Sequence, residues 1–186
     1  GVLYNSIFIG SALSYFRYFF VKDIPLLGPG YFFFVLGFLS LFTFLIRIRQ
    51  QPYQILTFGF TMFTAGISFL LSAQVIQIIF NVPAILYYAL PGFMYLMPVT
   101  LFAFFETIIP RHKIIFRVIW IFFAVFALVA LALEVIFDTN PFMLVQLFGI
   151  LYLACFIVTT IIVMTGAKRH GGEIRIFAFG TIALFL

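Results

Sequence analysis

The ionisable side chains of this chain are few, and two carboxylates stand where they could do chemistry. Glu106 is followed by Arg111 and Lys113, so an ion pair could form there and change partner when helices shift. Glu134 precedes Asp138 by about one helical turn. An ionisable group within an apolar run marks a candidate functional site. We therefore predict a switch around Glu106 and a ligand site around Glu134.

The predicted ligand site is an outward-facing pocket of polar side chains at similar predicted depth. Its members are Glu134, Asp138, Gln74, Gln77, Tyr87, Tyr88 and Gln146. Each carboxylate also has a simpler interpretation. Glu134 could be an exposed group at the outer membrane interface, and Glu106 could be an interfacial carboxylate that is solvated or paired locally. An exposed ion pair contributes only about 0–1 kcal/mol.

Motifs for catalysis and metal binding are missing from the sequence. There is no P-loop, no GxSxG, no HExxH and no kinase signature. His112 and His170 have no further nitrogen or sulfur ligand at metal-site spacing, and Cys155 is the one cysteine. The sequence therefore predicts no catalytic residue, no metal, no cofactor and no enzyme activity in this part of the protein.

The composition identifies the elements that must position these residues. Hydrophobic residues make up 66% of the chain and charged residues 8%, whereas a soluble domain carries about 25% charged residues. About 20 apolar residues in a helix cross a hydrocarbon core of about 30 Å. The predicted spans are 30–47, 53–72, 86–107, 115–136 and 142–166, and a sixth begins near 174. The predicted fold is an all-α, polytopic transmembrane helical bundle covering 30–186.

Residues 1–29 allow two interpretations. They could form another spanning helix, or a short strand at Ser6–Gly10 followed by an amphipathic helix from about Ser11 to Asp23 on the outer leaflet. Arg17 favours the second, because an arginine at mid-bilayer costs at least about 2.5 kcal/mol. We therefore predict that 1–29 is the end of an extracellular region with a juxtamembrane amphipathic helix.

The basic residues predict the orientation of the spans, since eight of the ten lie in three alternate gaps. These are Arg47 and Arg49, then Arg111, Lys113 and Arg117, and then Lys168, Arg169 and Arg175. Cytoplasmic loops of membrane proteins carry the positive excess. The sequence therefore predicts a multi-pass protein of the plasma (inner) membrane with cytoplasmic basic loops. The net charge of +5 is expected to face anionic lipid headgroups rather than nucleic acid.

Two further patterns lie within the spans. Pro91 and Pro98 interrupt the third span, and each could be a hinge or a fixed packing feature. Ala124, Ala127 and Ala130 form a stripe of small residues on the fourth span. Such a stripe permits close packing, either within the bundle or at a homodimer seam.

Several stretches resemble one family. Ser6–Ser11 (SIFIGS) is similar to the last strand of an extracellular domain, and Arg47–Gly59 to a first basic loop and second helix. Asn81–Glu106 and Arg117–Trp120 are similar to the third and fourth helices. In these stretches the chain resembles the bacterial seven-transmembrane receptors with diverse intracellular signalling modules. The resemblance implies seven helices, about six of which are present, and no catalytic residue in the membrane part.

The same resemblance implies a function for the membrane part. It would be a sensor and transducer that passes an extracellular signal to its own cytoplasmic output domain, such as a nucleotide cyclase, diguanylate cyclase, kinase or phosphatase, with a second copy as a possible partner. Both ends of the sequence look cut, as expected for a piece of such a receptor. The alternatives are a transporter or channel-like protein, or an accessory helical subunit of a larger complex. Few central charges and no obvious internal repeat disfavour a transporter.

Overall fold

The computed structural model describes residues 2–47, 53–73, 76, 83–137 and 141–167. Five long helices account for nearly all of these residues, and no described residue lies in a strand. The helices are α1 (Val2–Ile46), α2 (Tyr53–Ser72), α3 (Pro83–Ile108), α4 (Lys113–Phe137) and α5 (Pro141–Ala167). A single 3₁₀ turn, Pro110–His112, joins α3 to α4. The predicted all-α fold is confirmed.

Each of the five helices contains a stretch long and apolar enough to cross a membrane. Within the described residues these stretches are Phe20–Ile46, Tyr53–Ser72, Ala89–Ile108, Lys113–Glu134 and Met143–Ile162. Four of them match the predicted spans to within about four residues, whereas the first begins at Phe20, ten residues before its predicted start. Together they indicate a multi-pass membrane protein. The sixth span, predicted from about 174, lies outside the described residues.

The prediction of a strand at Ser6–Gly10 is wrong. These residues belong to α1, which has 45 residues and passes Pro25 and Pro29 without ending. At about 1.5 Å per residue, α1 is about 67 Å long, more than twice the hydrocarbon core. A five-residue apolar run cannot be distinguished from part of a helix by periodicity alone, which explains the error. Arg17 is exposed and precedes the span, as a charged residue should.

The chain divides into two compact units, Gly1–Pro141 and Phe142–Leu186. In the first unit, α1 packs against α2, α2 against α3, and α3 against α4. In the second unit, the described part is the apolar helix α5. Its exposed large side chains recur every three or four residues, which places them along one face: Met143, Leu147, Ile150, Leu153, Ile157 and Ile161.

Glycines bring the backbones of α1 and α2 into direct contact. Gly30 and Gly37 lie seven residues apart on α1, and Gly59 and Gly66 lie seven apart on α2. A Cβ at Gly37 would lie 2.8 Å from the Cα of Phe63 and 2.9 Å from the carbonyl oxygen of Gly59. A residue without a side chain is therefore required at this crossing. Small residues allow such close approach in lipid, where dispersion contacts replace the hydrophobic effect.

The crossing repeats one heptad away. A Cβ at Gly66 would lie 2.7 Å from the Cα of Phe34 and 2.9 Å from the carbonyl oxygen of Gly30. Later residues of α1 thus contact earlier residues of α2, so the two helices are antiparallel. The rings of Phe34 and Phe63 lie beside the crossing with centroids 5.2 Å apart. Two matched glycine pairs therefore determine the register of α1 on α2.

Threonines on another side of α2 contact α3. The hydroxyls of Thr64 and Thr100 lie 3.1 Å apart, and those of Thr57 and Thr107 lie 3.4 Å apart. The two pairs are seven residues apart on each helix. The earlier threonine of α2 pairs with the later threonine of α3, so α2 and α3 are antiparallel. The hydroxyl of Thr64 also donates to carbonyls of its own helix, which satisfies it inside an apolar layer.

Phenylalanine rings fill the interface between α3 and α4. Phe102 and Phe123 stack with centroids 5.6 Å apart, and Phe105 and Phe116 lie 5.7 Å apart. All four side chains are fully buried. Ala127 and Ala130 are buried too, so these two members of the alanine stripe serve packing within the chain.

The antiparallel order gives the first unit two ends. At the basic end, α1 and α3 finish and α2 and α4 begin, and Arg111, Lys113 and Arg117 lie there. At the opposite end, α3 begins at Pro83 and α4 finishes at Phe137, with Glu134 in its last turn. The apolar span of α1 begins at this end with Phe20, and Asp23 close by is buried. Polar side chains of the α3–α4 pair therefore concentrate at opposite ends of an apolar layer.

Candidate functional site

A buried hydrogen bond joins the middle of α3 to the last turn of α4. The Tyr95 hydroxyl donates to Oε1 of Glu134 at 2.6 Å. Tyr95 has no exposed surface and Glu134 is 2% exposed. The two residues come from separate helices, so the bond depends on how α3 and α4 pack. A hydrogen bond to a carboxylate is about twice as strong as one between neutral groups.

The second carboxylate oxygen of Glu134 is not satisfied in this way. Within the described residues, Oε2 is buried and has no hydrogen-bond partner. A buried polar atom without a partner costs free energy, and its presence calls for an explanation such as a functional role. The ring of Phe126 lies 6.3 Å from that of Tyr95, so the surroundings are largely apolar.

A second polar cluster joins the same two helices at the basic end. Arg117 donates from Nε and Nη2 to Oε1 of Glu106 at 2.9 and 2.6 Å. The indole nitrogen of Trp120 donates to Oε2 of the same carboxylate at 2.7 Å. Both oxygens of Glu106 thus have donors, whereas Oε2 of Glu134 has none among the described residues. The Arg117 side chain is 52% exposed, so solvent weakens the ion pair.

On α3, Pro98 lies between Tyr95 and Glu106, whereas Pro91 precedes Tyr95 by four residues; both prolines are buried. Each proline removes one backbone donor from the helix, yet α3 remains helical throughout. α4 thus has a polar contact near each of its ends, and α3 lacks one backbone donor between the two contacts, at Pro98.

Neither a family model, nor a curated protein, nor a solved structure matches this chain. The contacts themselves therefore have to support any assignment of function.

The predicted ligand pocket is only partly within the described structure. Gln74, Gln77 and Asp138 lie outside the described residues, and the side chains of Tyr87 and Tyr88 are not described. Gln146 lies on α5 and is exposed. Glu134 is buried, so the alternative of simple exposure at the interface is wrong. The pocket as a whole stays a prediction.

Glu106, the carboxylate of the predicted switch, has different hydrogen-bond partners from those that the sequence predicted. Glu106 bonds to Arg117 and Trp120, whereas Arg111 and Lys113 are exposed. This geometry agrees with the alternative of a locally paired carboxylate. An exchange of Glu106 between basic partners stays a prediction.

Sequence reasoning missed Tyr95 and Trp120 as partners. Trp120 carried a signal, because it lies three residues after Arg117 and thus on the same face of α4. Tyr95 carried none, since its pairing depends on the rotation of α3. The predicted absence of metals and cofactors stays a prediction, although no three metal-binding side chains cluster within the described residues.

Proposed function

We propose that this chain is the membrane-embedded sensor and transducer module of a bacterial signalling receptor. A signal at the opposite end changes the packing of α3 on α4, and the change reaches the basic end. An output domain attached beyond the described residues then responds. The Tyr95–Glu134 contact is the observation that supports this proposal most, because it is buried, joins two helices and leaves one oxygen with no partner among the described residues.

A second polar contact on the same helix pair supports the direction of transmission. The Glu106 cluster lies at the other end of α3 and α4, so a shift of one helix would disturb both contacts. An equilibrium between two packings moves only when a ligand prefers one of them. Glu134 supplies such a preference, because a donor that reaches Oε2 would stabilise whichever packing lets it bind.

Resemblance to the seven-transmembrane receptors and the distribution of charge support the proposed orientation. The basic end would face the cytoplasm, where an output domain works, and the Glu134 end would face outwards. The membrane would then be the plasma membrane.

Trp120 gives a direct test of coupling, because it is the one tryptophan of the 186-residue chain. We expect Glu134→Gln and Glu134→Ala to change the emission spectrum of Trp120 and its quenching by acrylamide. Loss of the Tyr95–Glu134 hydrogen bond should change the packing of α3 on α4 and thereby the hydrogen bond from the Trp120 indole to Glu106. The measurement uses the whole chain in lipid nanodiscs, with helicity checked by circular dichroism.

Ile136→Val is the matched control, since Ile136 is exposed near the same end of α4. It should leave the Trp120 signal unchanged. Should Glu134→Ala lower stability yet leave Trp120 unaffected, the two ends would be uncoupled and the transducer proposal would be wrong.

The proposed orientation has its own test with a membrane-impermeant maleimide. In a Cys155→Ala background, Ser14→Cys is expected to react in intact cells, because Ser14 is exposed and precedes the first span. Lys113→Cys, at the basic end, should react only after permeabilisation. The reverse pattern would place the basic end outside and remove the connection to a cytoplasmic output.

A further inference from the structure

The basic end has more positive charge than its carboxylate can offset. Residues 106–117 contain Arg111, Lys113 and Arg117, and one carboxylate, Glu106. Within the described residues, the ion pair at this end joins Glu106 to Arg117. Arg111 and Lys113 are both exposed. This surface therefore favours an anion.

An apolar track leads away from these cations along α4. Its side chains are exposed and recur every three or four residues, so they share one face: Ile114, Val118, Ile121, Val125 and Leu128. Ile114 is 78% exposed and Val118 is 62% exposed. The track is about 21 Å long at about 1.5 Å per residue, which exceeds half of the hydrocarbon core.

We propose that the basic end of α4 binds an acidic phospholipid. Arg111 and Lys113 contact its phosphate, and Arg117 adds N–H groups that its two bonds to Glu106 do not use. One acyl chain lies along the apolar track. A soluble anion would use only the cations and leave the track uncovered, so a lipid fits both halves of the surface. This inference does not depend on the proposed function.

Trp120 can report the lipid, since it lies one turn beyond Arg117. The whole chain is reconstituted in mixed vesicles of phosphatidylcholine and phosphatidylglycerol, with bromine on the acyl chains of one lipid at a time. Brominated phosphatidylglycerol is expected to quench Trp120 more than brominated phosphatidylcholine. Arg111→Gln or Lys113→Gln should each reduce this preference by about fivefold, the factor corresponding to about 1 kcal/mol for each cation at the surface.

Lys22→Gln is the matched control, because Lys22 is an exposed cation on α1 at the opposite end. It should keep the preference, and the two exposed-site variants should melt like the parent chain. Equal quenching by the two lipids would overturn the proposal. Loss of the preference in inorganic phosphate, but not in chloride of equal ionic strength, would also overturn it by identifying a site for free phosphate.

Discussion

Alanine at Gly37 or Gly66 is expected to destabilise the protein by about 1–3 kcal/mol, the usual cost of forcing extra atoms into a packed interface. The added methyl group would overlap backbone atoms of Phe63 or Phe34, which cannot rotate away. The two helices would have to separate, and the phenylalanine pair beside the crossing would lose contact. Reversible unfolding in mixed detergent micelles measures the change in free energy.

Gly28→Ala is the matched control on the same helix, because nothing lies within 4 Å of a Cβ there. Alanine forms helix more readily than glycine by up to about 1 kcal/mol, so this variant should be neutral or slightly stabilising. Equal loss of stability in all three variants would contradict the close crossing and point to a general sensitivity of α1 and α2.

Tyr95→Phe is expected to cost about 1–3 kcal/mol, because it removes the donor that the described residues supply to the buried carboxylate of Glu134. The ring and its packing on Phe126 are retained, so the effect isolates the hydroxyl. Tyr31→Phe is the control, since Tyr31 is exposed. The same unfolding measurement applies.

A double substitution makes this test more specific. Tyr95→Phe together with Glu134→Leu removes both polar groups, so no unpaired group remains at the contact. The combined loss should then be smaller than the sum of the two single losses. Additive losses would show that the two residues act independently and would remove the basis of the proposed transducer.

Hydropathy was sufficient to predict the helices, because lipid requires long apolar segments with internal backbone hydrogen bonds. The predicted strand near the start of the chain was wrong for a physical reason. An apolar segment as short as Ser6–Gly10 is compatible with either a strand or a helix. Only its place within the continuous helix α1 shows that it is helical. Glu106 and Glu134 were also identifiable as carboxylates within or beside apolar runs, and each bonds across α3 and α4. Their roles as switch and ligand site stay predictions.

The partners of those carboxylates could not be predicted in the same way. Hydropathy predicts how deep a residue lies in the membrane but not which way its helix is rotated. Tyr95 reaches Glu134 only because α3 and α4 turn these two faces towards each other. The glycine crossing was predictable in principle, since Gly30 and Gly37 repeat the seven-residue spacing of Gly59 and Gly66. Identical spacing on consecutive helices is a signal for close antiparallel packing.

The helix α2 has glycines against α1 and threonines against α3, both repeating every seven residues. Sliding α2 by a single residue would place bulky side chains at the crossing and separate the paired hydroxyls at once. The first three helices should therefore move as one rigid body. Any rearrangement within the first unit would then take place at α4, which is held to that body by aromatic rings and by one polar contact near each end.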